Sequence, residues 1–387
     1  MNFPIGLQLY SVRDDLEKDF EGTLRKVKAL GYDAVEFAGL FGHGAEEVRN
    51  LCKEIGLIPL SAHVPFVDMM NDPDGVLKVY ADIGCKFVVI PYLTEEYRPG
   101  QPKFQEVIDG AKLLGLHIEG PYIAKSQCGA QDPRFIRNPD PAEYNELLNA
   151  CPHILRWTIA PELPGAREMG LALLARGVLP SIGHSEADSE AVRAAIPCGY
   201  RHVTHLYSAM STIVRKAGFR HAGIVESAYL YDELSSEIIA DGCHLPAPLL
   251  QLAYKHIGPR RLVLVTDAMR GAGQTQGESI LGSLENGQRV ILEDGVAKMP
   301  DRTAFAGSIC TADRLVRTMV TLAGASLPDA VRMITETPAR VLGLSDFYGR
   351  VEAGRAADLA VFDHTIRIAM VLKDGAVCFE NREEALP

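Results

Sequence analysis

Short runs of apolar residues alternate with amphipathic segments along most of the chain. Runs such as "AVEFAGL" and "FVVIPYL" have the length of buried strands, and apolar residues at helical spacing separate them. This alternation is typical of β/α units with parallel strands. The pattern predicts strands at 5–12, 34–40, 58–64, 87–93, 116–119, 155–160, 178–183, 202–206, 236–240 and 262–266, with early helices at 16–30, 45–55, 73–84 and about 103–114.

The pattern changes from about residue 279. "GQRVILEDGVAKM" and "GRAADLAVFDHTIRIAMVLKDGAVCF" each contain an Asp-Gly turn between alternating segments, which is typical of β-hairpins. Helices are expected near 311–323, 328–335 and 337–342. The sequence therefore predicts an α/β protein of TIM-barrel-like parallel units, followed by a small C-terminal antiparallel β region.

The composition and net charge limit the classes of molecule that the protein could bind. The 387 residues carry a net charge of −11 and no Lys/Arg-rich run, which argues against nucleic acid or an anionic membrane as partner. A small phosphorylated ligand stays compatible with this charge. The 8 cysteines form no CxxC pair, and we find neither a signal peptide nor a membrane-spanning apolar run. We therefore expect a cytoplasmic location.

Four polar residues stand at the ends of predicted strands. They are Glu119 in "LGLHIEGPYI", His184 in "LPSIGHSEAD", His205 in "HVTHLYSAM" and Asp267 in "LVLVTDAM". Loops converge at the carboxyl ends of barrel strands, where active sites lie. One carboxylate and two imidazoles suit Zn²⁺ or Fe²⁺ with a position left for water, and a neighbouring aspartate can transfer the water proton.

Each of these residues alone also has an ordinary structural explanation. Glu119 could be a buried carboxylate paired with an arginine, and either histidine could be a hydrogen-bonding core residue. Asp267 could be the N-cap of a helix that begins at "AMRGAG". Four such residues on strand ends together favour a metal-dependent hydrolase.

A series of motifs between about 114 and 380 is similar to one known family. The motifs are "LGLHIEGPYI", "GAQDPRFIRNP", "IGHSEAD", "THLYSAM", "EIIADGCHLP", "LVLVTDAM", "FAGSICTADRLVR", "ETPARVLGL" and "GRVEAGRAADLAVFD". Together they resemble N-acetylglucosamine-6-phosphate deacetylases of the amidohydrolase superfamily. The resemblance implies that Glu119, His184 and His205 bind one divalent ion, that Asp267 is the general acid/base, that the substrate is an amino sugar phosphate, and that the protein is a homodimer.

The resemblance also implies a set of substrate-binding residues, namely Gln131, Ser208, Ala209, Arg215 and His244. His244 would contact the substrate and help to polarise its acetyl carbonyl. Gln131 stands where many members have His, and Ser208 where many have Asn, so both departures bear on substrate identity. Arg215 or Lys216 would meet the sugar phosphate, and Arg suits bidentate phosphate contact better.

Residues 1–113 do not resemble the deacetylases. "GLQLYSVRDDLEKDFEGTLRKVKALGYDAVEFAG" resembles instead the N-terminal half of a xylose-isomerase-like sugar-phosphate isomerase/epimerase. The His-x-His pair that often marks the first deacetylase strand is absent, which favours a single metal ion. The metal ligands of the isomerase family lie mostly on its later strands, which this chain lacks. Glu36 and His63 are the candidate ligands that remain in residues 1–113.

Because the two parts of the chain resemble two different families, we expect a hybrid, imperfectly closed barrel. We expect three segments: an isomerase-like half-barrel at 1–113, a deacetylase-like metal-dependent segment at 114–278, and C-terminal helices with a small β region at 279–387. The join at "AKLLGLHIEGP" is either a natural fusion or an assembly error. The alternatives to a deacetylase are a sugar-phosphate isomerase/epimerase and a non-catalytic chain.

Overall fold

A computed structural model describes residues 6–85, 87–89, 114–282 and 287–380. The chain separates into two compact units, Met1–Leu114 and Gly115–Pro387. The predicted helix at about 103–114 and the end of the predicted strand 87–93 lie outside the described residues. The division into three segments stays a prediction. None of the described helices is long and apolar enough to cross a membrane.

The first unit contains a four-stranded parallel sheet in the order β1-β2-β3-β4. Its strands are β1 (Gly6–Gln8), β2 (Ala34–Phe37), β3 (Ile58–His63) and β4 (Phe87–Val89). Its helices are α1 (Arg13–Leu16), α2 (Phe20–Ala29), α3 (Ala45–Ile55), α4 (Phe66–Asn71) and α5 (Pro73–Ile83). Leu24, Val35 and Phe37 belong to one buried apolar cluster that joins the helices to the sheet.

Two predictions for this unit are wrong in detail. The predicted strand 5–12 ends at Gln8, because a 3-10 helix occupies Leu9–Val12. The predicted helix 16–30 is two helices, and the side chain of Asp19 caps the second by accepting a 2.9 Å hydrogen bond from Gly22 N–H.

The second unit is built on a six-stranded parallel sheet. The strands, which follow chain order across the sheet apart from an inserted hairpin, are β5 (Leu116–Glu119), β6 (Ile154–Ile159), β7 (Leu179–Ile182), β8 (His202–Val203), β11 (Ser235–Ile238) and β12 (Leu262–Leu264). The helices that accompany them are α6 (Pro141–Ala150), α7 (Ala166–Ala175), α8 (Ser189–Ala195), α9 (Ile224–Leu230) and α10 (Ala247–His256).

This sheet curls into a half-barrel. This arrangement confirms the predicted TIM-barrel-like parallel β/α units. The predicted ten strands are the four of the first unit and the six of the second. The α/β class is confirmed with them.

Antiparallel elements complete the second unit. The hairpin of β9 (Val214–Lys216) and β10 (Phe219–His221) was not predicted. The two predicted C-terminal hairpins are confirmed as parts of three-stranded sheets. Their elements are β13 (Gly277–Leu281), β14 (Gln288–Glu293), β15 (Val296–Lys298), β16 (Leu359–Phe362), β17 (Ile368–Lys373) and β18 (Ala376–Glu380), and the helices are α11 (Ala312–Thr321), α12 (Leu327–Ile334) and α13 (Glu336–Val341).

A buried ion pair lies one layer below the strand ends of the half-barrel. Arg156 on β6 is 7% exposed and Glu237 on β11 is 4% exposed. Arg156 Nη1 donates to Glu237 Oε1, and Arg156 Nη2 donates to His117 Nδ1 at 2.8 Å. Burial would raise the pKa of Glu237, but the charge of Arg156 and contact with His202 hold it well below its usual range. The pair is therefore ionised at neutral pH.

Candidate active site

Three predicted metal ligands meet at the carboxyl end of the half-barrel. Glu119 is the last residue of β5, His184 follows β7, and His205 follows β8. Glu119 Oε1 lies 2.6 Å from His184 Nε2 and 2.9 Å from His205 Nε2, and the two Nε2 atoms are 3.1 Å apart. One ligand atom from each residue lies within 4.8 Å of the others, so the three could hold one metal ion.

The backbone at these strand ends is strained. His184, His205 and Asp267 have φ values of 49°, 30° and 46°, in the left-handed region that residues other than glycine rarely adopt. Each such residue costs about 1–3 kcal/mol, which the surrounding structure must offset. Three of the four candidate residues have this strained backbone, which is common at functional sites.

The donor set fits a metal ion. His184 donates its Nδ1–H to the carbonyl oxygen of Gln127 at 2.7 Å, so Nε2, which faces Glu119, is the ring nitrogen that a metal ion would take. A carboxylate oxygen and two ring nitrogens this close repel one another unless a positive species lies among them. A divalent ion bound by the same atoms would supply that charge.

The pKa values of the metal-free site follow from these contacts. Burial raises the pKa of Glu119, but hydrogen bonds from His184 and His205 hold it well below its usual range. Burial lowers the pKa of His205, but its hydrogen bond to Glu119 and the charges of Glu119 and Asp267 raise it to about 9. Glu119 is therefore ionised at neutral pH, as a metal ligand must be.

Asp267 lines the same cavity as the three ligands. It follows β12, beyond Leu264. Burial raises the pKa of Asp267 to about 6, with a further contribution from the charge of Glu119 that the charges of His205 and His244 partly offset. A carboxyl group that titrates near neutral pH suits proton transfer.

The loop that contains "FAGSIC" fixes the backbone of Asp267. Ser308 donates its amide N–H to the carbonyl oxygen of Asp267 at 2.8 Å and its hydroxyl to that of Thr266 at 2.5 Å. Gly307 has a φ of 80°, and a Cβ there would lie 2.9 Å from Asp267 O. A glycine is therefore required at this close approach.

A cavity of about 790 Å³ opens over the three ligands. The predicted substrate residues Gln131, Ser208 and Ala209 line it. Gln131 Nε2 donates to the carbonyl oxygen of Glu119 at 3.3 Å, which anchors its side chain beside the ligand set. This volume is within the usual range for a small-molecule site.

His244 also lines the cavity, and a buried carboxylate orients it. Asp241, 2% exposed, accepts the Nδ1–H of His244 at 2.8 Å and the backbone N–H groups of Cys243 and His244, both at 2.8 Å. Burial raises the pKa of Asp241, but the bond from His244 lowers it overall. Asp241 therefore stays ionised and fixes the proton of His244 on Nδ1.

Arg215 lies elsewhere. It is exposed on the β9–β10 hairpin, opposite Arg220, and is not among the described residues that line the cavity. Its role at the phosphate stays a prediction.

The sequence did not indicate several residues that support the site. Asp241 could have been found from its spacing, since an acid three residues before a histidine in "DGCH" can reach the imidazole. Gln127 and Gly307 act through backbone groups, and Ser308 acts through its amide and its hydroxyl. None of them leaves a comparable spacing signal. Phe305, whose ring centroid lies 4.8 Å from that of His244, is likewise visible only in the fold.

Comparisons with known proteins show to which family the chain belongs. The model of the amidohydrolase family matches residues 155–379. N-acetylglucosamine-6-phosphate deacetylase of Lysinibacillus sphaericus is 34% identical over 276 residues, which cover 71% of this chain and 68% of that protein. N-acetylgalactosamine-6-phosphate deacetylase of Escherichia coli O157:H7 is 32% identical over 269 residues, which cover 69% and 68%.

A solved structure is similar over more of the chain. The crystal structure of N-acetyl-D-glucosamine-6-phosphate deacetylase from Mycobacterium smegmatis has a TM-score of 0.65 and 27% identity, and the match covers 89% of this chain and 86% of that one. These comparisons do not support the resemblance of residues 1–113 to isomerases, which stays a prediction. By the extent of the family match and the identity to its relatives, this chain belongs to the amidohydrolase family and groups with its N-acetylglucosamine-6-phosphate deacetylases.

Proposed function

We propose that the protein hydrolyses the N-acetyl group of N-acetylglucosamine 6-phosphate to acetate and glucosamine 6-phosphate. The observation that carries this proposal is the convergence of Glu119, His184 and His205 in a cavity that Asp267 also lines. Relatives that bear this name support the choice of reaction and substrate.

The proposed cofactor is one divalent ion held by Glu119, His184 and His205, with Zn²⁺ as first choice and Fe²⁺ as second. Two imidazoles and one carboxylate suit either ion. When bound, such an ion polarises a carbonyl group and lowers the pKa of water. The anchoring of His184 to the carbonyl of Gln127 supports this assignment, because metal-binding histidines usually donate their other N–H to such a group.

Asp267 is the proposed general acid/base. Its carboxylate takes a proton from the water whose oxygen attacks the acetyl carbon, and returns it to the amine nitrogen as the C–N bond breaks. A pKa raised to about 6 keeps Asp267 largely ionised at neutral pH while making it a stronger base than an ordinary aspartate. His244, held by Asp241, orients the acetyl carbonyl.

The remaining substrate contacts are also proposals. Gln131, Ser208 and Ala209 are assigned to the sugar because they line the cavity. Arg215 is assigned to the phosphate only by resemblance. The homodimer and the cytoplasmic location also remain predictions.

The alternative activities are less well supported. A sugar-phosphate isomerase/epimerase would depend on residues 1–113, where Glu36 and His63 bond to each other at 3.0 Å without a third metal-binding side chain among the described residues. If the chain were non-catalytic, the strained backbone of the strand-end residues would have no functional explanation.

Product analysis tests the proposal. Purified protein with added Zn²⁺ is incubated with N-acetylglucosamine 6-phosphate, and acetate and free amine are quantified. Equal amounts of both products support the deacetylase. A new sugar isomer without acetate would support the isomerase/epimerase, and no product at all would support the non-catalytic chain.

A further inference from the structure

Thr158 on β6 is the register partner of Glu119 on β5 and is fully buried. Its Oγ1 lies 2.7 Å from His117 Nε2 and 2.7 Å from Thr204 Oγ1. Its methyl group Cγ2 lies 2.7 Å from the point that a Cβ of Gly183 would occupy. One side chain therefore contacts β5 and the segments that directly follow β7 and β8.

Each residue that Thr158 contacts stands one or two positions before a proposed metal ligand. The pairs along the chain are His117 and Glu119, Gly183 and His184, and Thr204 and His205. On β5 an interval of two residues puts both side chains on the same face of the strand. After β7 and β8 the ligand directly follows the contact, so a shift of the contact moves the ligand as well. Thr158 is therefore connected to all three ligands through short segments of backbone.

The close packing at Gly183 makes this connection rigid. A Cβ at this position would lie 2.7 Å from Thr158 Cγ2 and 3.0 Å from Thr204 Cβ. Only glycine lets the backbone before His184 approach the two threonines this closely. Because close-packed interiors transmit displacements, a change in either threonine would also displace His184.

The buried ion pair of Arg156 and Glu237 orients the hydrogen bonds of Thr158. Arg156 Nη2 lies 2.8 Å from His117 Nδ1 and 3.3 Å from His117 Nε2. A guanidinium has only donors, so the nearer nitrogen, Nδ1, accepts, and the neutral ring carries its proton on Nε2, toward Thr158. His117 itself is exposed, and its contact with Arg156 keeps the ring in this orientation. The Thr158 hydroxyl oxygen therefore accepts from His117 and shares a second hydrogen bond with Thr204.

We propose that Thr158, through its hydroxyl, is a positioning residue that holds Glu119, His184 and His205 at the spacing that a single divalent ion requires. This inference rests on the metal site of the proposed function and adds a residue outside the ligand set. Metal sites tolerate errors of only about 0.2 Å in ligand distance, and the three ligands come from three different strands. A fixed contact that those strands share meets this requirement.

Paired substitutions at Thr158 test this role. Thr158→Val keeps the shape of the side chain and removes the hydroxyl, whereas Thr158→Ser keeps the hydroxyl. The Kd for Zn²⁺ is measured by competition with a chromophoric chelator. We expect it to rise about tenfold in Thr158→Val, at the lower end of the effect of groups that orient metal ligands, and to stay within about threefold in Thr158→Ser.

The matched control is Thr337→Val. Thr337 on α13 is 1% exposed and donates its hydroxyl to the carbonyl oxygen of Pro259 at 2.7 Å. The substitution removes a buried hydrogen bond of the same length in a helix that follows the last strand of the half-barrel. It should change the Kd for Zn²⁺ by less than about twofold, as expected for an independent site.

The visible spectrum of the Co²⁺-substituted protein provides a second readout, because its absorption bands depend on ligand geometry. The bands should change in Thr158→Val and match those of the unsubstituted protein in Thr158→Ser and Thr337→Val. A general loss of stability would leave the spectrum of the folded protein unchanged. If Thr158→Val does not fold, Thr204→Val and Thr204→Ser remove and keep the partner hydroxyl, with the same expected results.

Unchanged Zn²⁺ affinity and an unchanged Co²⁺ spectrum in the valine variant would overturn the proposal. Equal losses in the valine and serine variants would assign the effect to packing and would also overturn it. If the unsubstituted protein binds Zn²⁺ but releases no acetate, the proposed function fails, and the metal measurements still decide the role of Thr158. If it binds no metal ion, both fail.

Discussion

The amide N–H of Ser308 donates a 2.8 Å hydrogen bond to the carbonyl oxygen of Asp267. This contact joins the C-terminal part of the chain to the proposed general acid/base, whose φ of 46° is unfavourable without support. It also explains why glycine precedes Ser308, since any side chain at Gly307 would collide with the same carbonyl oxygen.

The substitution Gly307→Ala should therefore displace Asp267. We expect kcat to fall at least about tenfold, because small misplacements of catalytic groups lower rates strongly. The matched control is Gly324→Ala, because Gly324 has a comparable φ of 70°, yet a Cβ added there would meet no atom of the described residues within 4 Å. The left-handed backbone costs alanine about 1–2 kcal/mol at either position, and Gly307→Ala carries the collision with Asp267 in addition. Equal activities of the two variants would contradict the proposed support of Asp267.

The pH dependence of the reaction should follow Asp267. Burial raises its pKa to about 6, and only the ionised form accepts a proton. Consequently kcat/KM of the metal-bound protein should fall as the pH decreases and level off toward neutral pH, with a midpoint below about 6, since a nearby cation favours the carboxylate. A pH–rate profile measures this. A rate that rises on acidification over the same range would contradict the role of Asp267 as base.

Metal content tests the ligand assignment. The protein should contain about one divalent ion per chain, and His184→Ala or His205→Ala should remove it, because each deletes one of three ligands. Elemental analysis measures the occupancy. His43→Ala is the control, since His43 bonds to Glu47 in the first unit and should not affect the ion. Full occupancy in both ligand variants would refute the site.

The buried ion pair should contribute strongly to stability. Glu237→Ala leaves the buried guanidinium of Arg156 unpaired, at a cost of about 3–5 kcal/mol. Glu278→Ala breaks the exposed pair with Arg289 and should cost less than about 1 kcal/mol. Denaturant titration of both variants measures the difference. Similar midpoints would show that the Arg156 environment is better solvated than the structure indicates.

Much of the fold could be predicted because its signals are local. Apolar runs and turn residues indicate strands and hairpins within a few residues, and the rule that active sites lie at strand ends selected Glu119, His184, His205 and Asp267. Local patterns fail where one element interrupts another. The break at Asp19 divides an otherwise continuous helical pattern, and β8 ends at Val203 because the backbone turns to present His205.

Long-range pairings could not be predicted from one sequence. A buried carboxylate paired with arginine was the structural alternative for Glu119, yet the structure assigns that pairing to Glu237 and Arg156, 81 residues apart. Both glutamates lie on strands within apolar runs, but the structure places Glu119 at the end of β5 and Glu237 inside β11. The contact of Ser308 with Asp267 depends on tertiary structure in the same way.

The proposed mechanism depends on Asp267 as the general acid/base of hydrolysis at an intact metal site. The most direct measurement compares acetate release from N-acetylglucosamine 6-phosphate by the unsubstituted protein and by Asp267→Asn at matched metal content. We expect the asparagine variant to retain the ion but to lose at least about a hundredfold in kcat, because general acid–base catalysis contributes about that much. Near-normal kcat in Asp267→Asn, with the metal site filled, would contradict the account.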